Sequence, residues 1–335
     1  MNVTSIGDMA QGLMLRSRTA DIKNTISVLT DELSSGKVTN VAERLGGDLA
    51  QLTSIDKSIA DLKSYNIAAS EANMFTDIAQ ESMGALQDLT TSFGADVISS
   101  IPSQLENVRQ SLSTRAQGDL QRVITTLNTN VAGRSLFSGI STDVAPISGS
   151  VDDLLNGVRS AIAGLSDAND IRFAADVWFA DPAGFRATMY AGSDTALAPI
   201  DVGPGDQVNM DVMADNETFR DLMKNMALIA LATEPGLGIN LDNQNQLIFQ
   251  SGEGLLSEQD GLAALRSEVG YAQSRIDQAN ARNNASILSF EVARTTLLSS
   301  DPYDVATKLE EAQFQLEGLY AVTARTSRLS ILNFL

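Results

Sequence analysis

The chain has 335 residues, no cysteine and no histidine, and carries 23 basic against 42 acidic side chains for a net charge of −19. The two missing residue types exclude disulfides, thiolate nucleophiles, Ser-His-Asp triads and histidine-based zinc sites. The strong negative charge disfavours nucleic acid and anionic lipid as partners.

In chain order, Leu15, Ile22, Ile26, Leu29 and Leu33 recur at helical spacing and predict a helix over 9–35, stopped by Ser34-Ser35-Gly36. A second seam passes through Leu52, Ile55, Ile59, Leu62, Asn66, Ala69, Asn73, Thr76, Gln80 and Met83. It predicts a long helix over 49–91 with a narrow seam. Its asparagines, like Asn283 further on, either fix register or mark a face turned partly to solvent, and the spacing favours the second. After Ile101-Pro102, a third helix is expected over 103–131, with Leu105, Val108, Leu112, Leu120, Ile124 and Leu127 on its apolar face.

The segment 133–261 reads differently. It holds Pro146, Pro182, Pro199, Pro204 and Pro235. Strands are expected at 185–190, 200–202, 208–213 and 245–250, with Gly203-Pro204-Gly205-Asp206 as a turn. Two short helices are expected at 151–165 and 217–232. Trp178, Phe179, Phe173 and Phe185 are the expected core of this insertion. Gly236-x-Gly238 and Gly252-x-Gly254 read as turns, since both lack the third glycine of a nucleotide fingerprint.

Helical spacing returns at Leu262, Leu265, Val269, Ala272, Ile276, Ala279, Asn283, Ser286, Phe290, Ala293 and Leu297. Asp301 then reads as an N-cap and Pro302 as the first residue of a last helix bearing Val305, Leu309, Ala312, Leu316, Leu319 and Thr323. The expected fold is therefore mainly α. Long antiparallel helical arms, bundled as a coiled coil, are formed by both termini, and a small, β-rich α+β insertion lies between them. The expected domains are 1–40 and 301–335 as assembly segments, 41–132 with 262–300 as a helical rod, and 133–261 as the insertion.

Both ends crowd apolar residues, and contiguous apolar surface marks interaction sites. The expected subunit interface comprises Leu13, Leu15, Ile22, Ile26, Leu29 and Leu33 from the first helix. From the last it takes Leu316, Leu319, Leu329, Ile331, Leu332, Phe334 and Leu335. Both ends are expected to be poorly ordered in a monomer and to fold on assembly. No catalytic, metal or cofactor site is expected. The pairs Asp152-Asp153 and Glu310-Glu311 are sequence neighbours whose side chains diverge on a helix, and 167–170 lacks the spacing of a calcium loop. The first residues lack the pattern of a cleaved signal peptide, and no apolar run reaches the roughly 18 residues of a membrane span.

Three motifs carry a family resemblance. Leu33-Ser34-Ser35-Gly36-Lys37 resembles the segment that ends the first helix of flagellins and their relatives. Gly133-Arg134-Ser135-Leu136-Phe137-Ser138-Gly139-Ile140-Ser141-Thr142-Asp143, ahead of Pro146, is similar to a pattern of hook-filament junction proteins that flagellins usually lack. The ending Leu329-Ser330-Ile331-Leu332-Asn333-Phe334-Leu335 looks like the junction-protein terminus. One departure follows Lys37, where Val38-Thr39-Asn40 replaces the family's proline-containing turn.

The resemblance is thus to flagellin-type axial proteins, and within them to junction proteins. It implies export through the flagellar type III apparatus with a cytoplasmic chaperone. It further implies self-association in a ring on the extracellular flagellum, between a neighbouring hook-associated protein and flagellin. A filament-forming flagellin is the alternative. An enzyme on a helical scaffold is disfavoured by the absent histidine and by the lack of a Ser-Lys motif.

Overall fold

The computed structural model describes residues 4–101 and 105–332, with the side chains of 4–8 and 326–332 outside that description. Nine α-helices and two short antiparallel ladders are found among the described residues. By contacts the chain divides into two compact units, 64–283 and the two ends together, 1–63 with 284–335.

In the end unit, α1 (Thr4–Ser35) packs antiparallel to α9 (Pro302–Leu332). The short α2 (Val41–Arg44) begins at Asn40, whose side chain accepts from the Glu43 amide. This replaces the proline turn whose absence the sequence shows. The start of α3 (Ala50–Ser100) and the end of α8 (Leu241–Leu298) belong to the same unit, where Asp56 and Arg294 pair at 2.8 Å.

The 64–283 body contains the rest of α3 and α8. Added to these are α4 (Glu106–Leu127), α5 (Val151–Ala161), α6 (Ala168–Ala180) and α7 (Glu217–Leu231). Helix α7 is its centre, because every residue from Leu222 to Leu231 is buried. The ladder β1 (Asn130–Val131) with β2 (Arg134–Ser135) follows α4, and β3 (Ile200–Gly203) with β4 (Asp206–Val208) precedes α7.

Several expectations change here. Residues 245–250 are not a strand but the second turn of α8, which starts some twenty residues earlier than the apolar spacing suggests. The reason lies in glycines read as turns. A Cβ at Gly252 would stand 2.5 Å from Val97, one at Gly254 2.6 Å from the Asn225 amide, and one at Gly261 2.5 Å from Thr218. These positions let α8 approach α3 and α7 closely while remaining helical. Gly238 does take a left-handed turn, at φ 64°.

The segment 185–190 is also not a strand. Asp181 caps a tight turn over Pro182–Arg186, bent at Gly184, and only Tyr190 pairs, with Ile147. Residues 209–213 lie beyond the β4 pairing. Helix α6 carries Phe179 into the core against Phe185 at 5.3 Å, with Trp178 edge-on to both, but Phe173 points outward and is 70 % exposed.

An electrostatic cluster sits between α6, α7 and α8. Burial works against the charge on Lys224, but hydrogen bonds to Asp176 (2.5 Å) and Asp221 (2.6 Å) more than offset it and hold its pKa up. Burial first, and then the Asp221 carboxylate, push Glu258 up to about 7; Lys224 opposes this and Glu217 adds to it. The folded chain therefore keeps a proton on Glu258 over the window from its ordinary 4.5 to about 7. The associated stability is full below that window and lost as pH rises through it. Glu258→Gln should then melt about 2–6 °C above wild type at pH 8, and at the same temperature at pH 4.5. Calorimetry at the two pH values checks this.

Candidate assembly interface

The arms close on themselves through a narrow seam. Ile22, Ile26 and Leu29 of α1 meet Val305, Leu309 and Ala312 of α9, with Leu29, Val305 and Ala312 buried. Lys23 lies over the ring of Tyr320, 5.8 Å from its centroid. At the closed end, Gly36 turns left-handed at φ 66° and donates to Glu32 O at 2.9 Å, which ends α1. The chain then runs beside the α8–α9 connection. The Val38 amide donates to Leu298 O, the Ser300 amide donates to Gly36 O, and Lys37 bridges Ser299. The Asp301 carboxylate accepts from the Tyr303 amide at 2.9 Å and starts α9.

The expected interface residues that fall among the described side chains can now be placed. Leu13 (67 % exposed) and Leu33 face outward, Leu15, Leu316 and Leu319 are half-buried, and Ile22, Ile26 and Leu29 lie in the α1–α9 seam. The side chains of Leu329, Ile331 and Leu332, and residues Phe334 and Leu335, fall outside the described residues. Sequence reasoning missed the outward-facing Met9, Tyr303 and Phe314. The signal was present, since these apolar residues fall off the seam positions of their own helices. The α1–α9 pair thus leaves Met9, Leu13, Met14, Tyr303 and Phe314 uncovered.

The segment Gly133–Asp143 takes a different place. Ala132 and Gly133, at φ 52° and 85°, form the two-residue turn between β1 and β2. The chain then enters the core of the body, with Leu136, Phe137, Ser138 and Gly139 buried. Phe137 meets Phe219 of α7 edge-on at 6.0 Å. The backbone is tied on both sides, as the Ala214 amide donates to Phe137 O at 2.8 Å and the Ser193 amide to Ser138 O at 2.9 Å. Nearby, the buried Asp215 pairs with Arg186. Tyr190 donates to Ser193 O at 2.8 Å, and burial, then the Asp215 charge, push its hydroxyl up to about 12.

Comparison with known proteins agrees with this layout at both ends. The profile of the bacterial flagellin N-terminal helical region matches residues 8–142, and that of the C-terminal helical region matches 243–335. The chain belongs to the flagellin-type family of flagellar axial proteins. Proteins of this family are structural components of the extracellular flagellum that self-associate and pack with other flagellar parts.

Among solved structures, the crystal structure of FlgL from Bacillus cereus shares the fold. It is 12 % identical, with a TM-score of 0.52 over 72 % of this chain and 100 % of that one. A flagellar hook-associated protein from Vibrio parahaemolyticus, also 12 % identical, aligns over 84 % of this chain and 97 % of its own with a TM-score of 0.40. No curated protein sequence matches the chain. No helix among the described residues is long and apolar enough to cross a membrane.

Proposed function

We propose that this flagellin-type protein joins hook to filament, as a ring of subunits held by its terminal helices, and catalyses no reaction. The observation that carries the reading is the buried segment Leu136–Gly139. The residues that distinguish junction proteins from flagellins in the resemblance lie buried in the core of the body, with Phe137 against Phe219 of α7. The likeness in fold to FlgL supports the same reading.

Charge supports the division of labour. The body 64–283 carries 12 basic and 28 acidic residues, while the two ends together carry 11 and 14. Repulsion between subunits is thus concentrated in the body, and the nearly neutral ends are free to associate through apolar surface. The protein would be exported by the flagellar type III route, kept from premature association by a cytoplasmic chaperone covering those ends, and would contact a neighbouring hook-associated protein and flagellin.

Electron microscopy and motility of a strain lacking the protein test this. Hooks without filaments, with flagellin shed into the medium, are the expected result. Loss of the filament protein itself would make the chain a flagellin, and intact swimming flagella would overturn both readings.

A further inference from the structure

Within the body, α3 and α8 run antiparallel, and their final layer is made of small residues. Ala69 and Ala72 of α3 face Ala272, Ile276 and Ala279 of α8. Alanine contacts bury little apolar area, so this stretch is weakly held by the helices alone. The β3–β4 hairpin covers it with Val202, Val208 and the half-buried Ile200.

A polar group then closes the layer. Asn283 of α8 is 2 % exposed, and its Nδ2 donates to Asn66 Oδ1 of α3 at 3.0 Å and to Val202 O of the hairpin at 2.8 Å. One buried amide thereby ties three chain segments. Asp206, at the hairpin turn, adds an ion pair to Arg282 and a longer one to Arg275 at 3.9 Å. The body ends at Ser64 and Asn283, so this polar layer is its last.

We propose that Asn283, Asn66 and the β3–β4 hairpin form a fray stop, a polar clasp that keeps unfolding of the terminal arms from running into the 64–283 body. Alanine contacts can peel apart one at a time. The clasp cannot, because one Asn283 amide holds both Asn66 and Val202, so opening it gives up both hydrogen bonds and the cover of Val202 and Val208 in one step. Arms that order on assembly would then do so on a body whose edge stays fixed. This goes beyond the junction reading and holds equally for a filament subunit.

Native-state hydrogen exchange on the full chain tests the proposal. Wild type should show a sharp rise in protection on passing inward across residues 64–66 and 283. In Asn283→Ala, exchange over 66–79 and 269–283 should quicken by about tenfold or more, with protection in α7 unchanged. Gln273→Ala, which removes the exposed bond to Asp77 in the same helix pair, should leave the boundary in place. If Asn283→Ala also loses α7 protection and so fails to fold, Asp206→Ala carries the test, and the same inward shift is expected at smaller amplitude. A boundary that stays at 66 and 283 in the folded clasp variant, or a wild type with no step there, overturns the proposal.

Discussion

Gly139→Val is expected to unfold the 64–283 body, with a loss of roughly 4 kcal/mol or more in denaturant melts. Two independent causes act at this position. The backbone is left-handed, at φ 62°, and a Cβ would stand 2.4 Å from Thr195 O and 3.1 Å from Ser193 O. Both obstacles are backbone atoms, and the neighbouring Ser193 and Ile140 amides are themselves hydrogen-bonded in place, to Ser138 O and Thr195 O. No side-chain rotation relieves the clash. Gly164 separates the two causes. It is also left-handed, at φ 78°, but has open space around its Cβ position. Gly164→Ala should cost only about 1 kcal/mol. If Gly139→Val melts within that range, the segment Leu136–Gly139 is not rigidly held in the core.

The helical arms were legible because their physics is local and repetitive. A three-four apolar step, a Ser-Ser-Gly stop and an Asp-Pro start each leave a mark within a few residues, and α1, the Asp301 cap and α9 stand where those marks fall. The start of α8 was not legible, because local rules read Gly252 and Gly254 as breaks. Only the closeness of Val97 and Asn225 explains why a helix tolerates them there. Helix α6 is hard to read from sequence for a related reason. Its N-cap, Asp167, is present, but only Ile171 and Phe179 among its buried residues are large, too few for a periodic signal in a proline-rich neighbourhood.

Asn283 shows the same limit at a single residue. On seam spacing alone it reads as partly solvated, yet the hairpin eighty residues earlier in the chain buries it. For the proposed interface, spacing pointed to α1 and α9. It could not separate Leu29, which is consumed by α9, from Leu13, which remains available.

That distinction yields the second large effect. Leu29→Asp places a charge in the seam against Val305 and Ala312, at a cost of about 3 kcal/mol or more, and should separate α1 from α9. Leu13→Asp alters a side chain that is already 67 % exposed and should leave the pair intact. Both variants should lose self-association and fail to restore swimming to a strain lacking the protein, for different reasons. Circular dichroism would show lost helicity only in Leu29→Asp, and the denaturant melt of the 64–283 body should be unchanged in both. If Leu13→Asp associates and swims like wild type, the outward face of α1 is not an assembly surface. If Leu29→Asp does so, the α1–α9 seam is dispensable in the assembled state, and Leu29 must find its partner in another subunit.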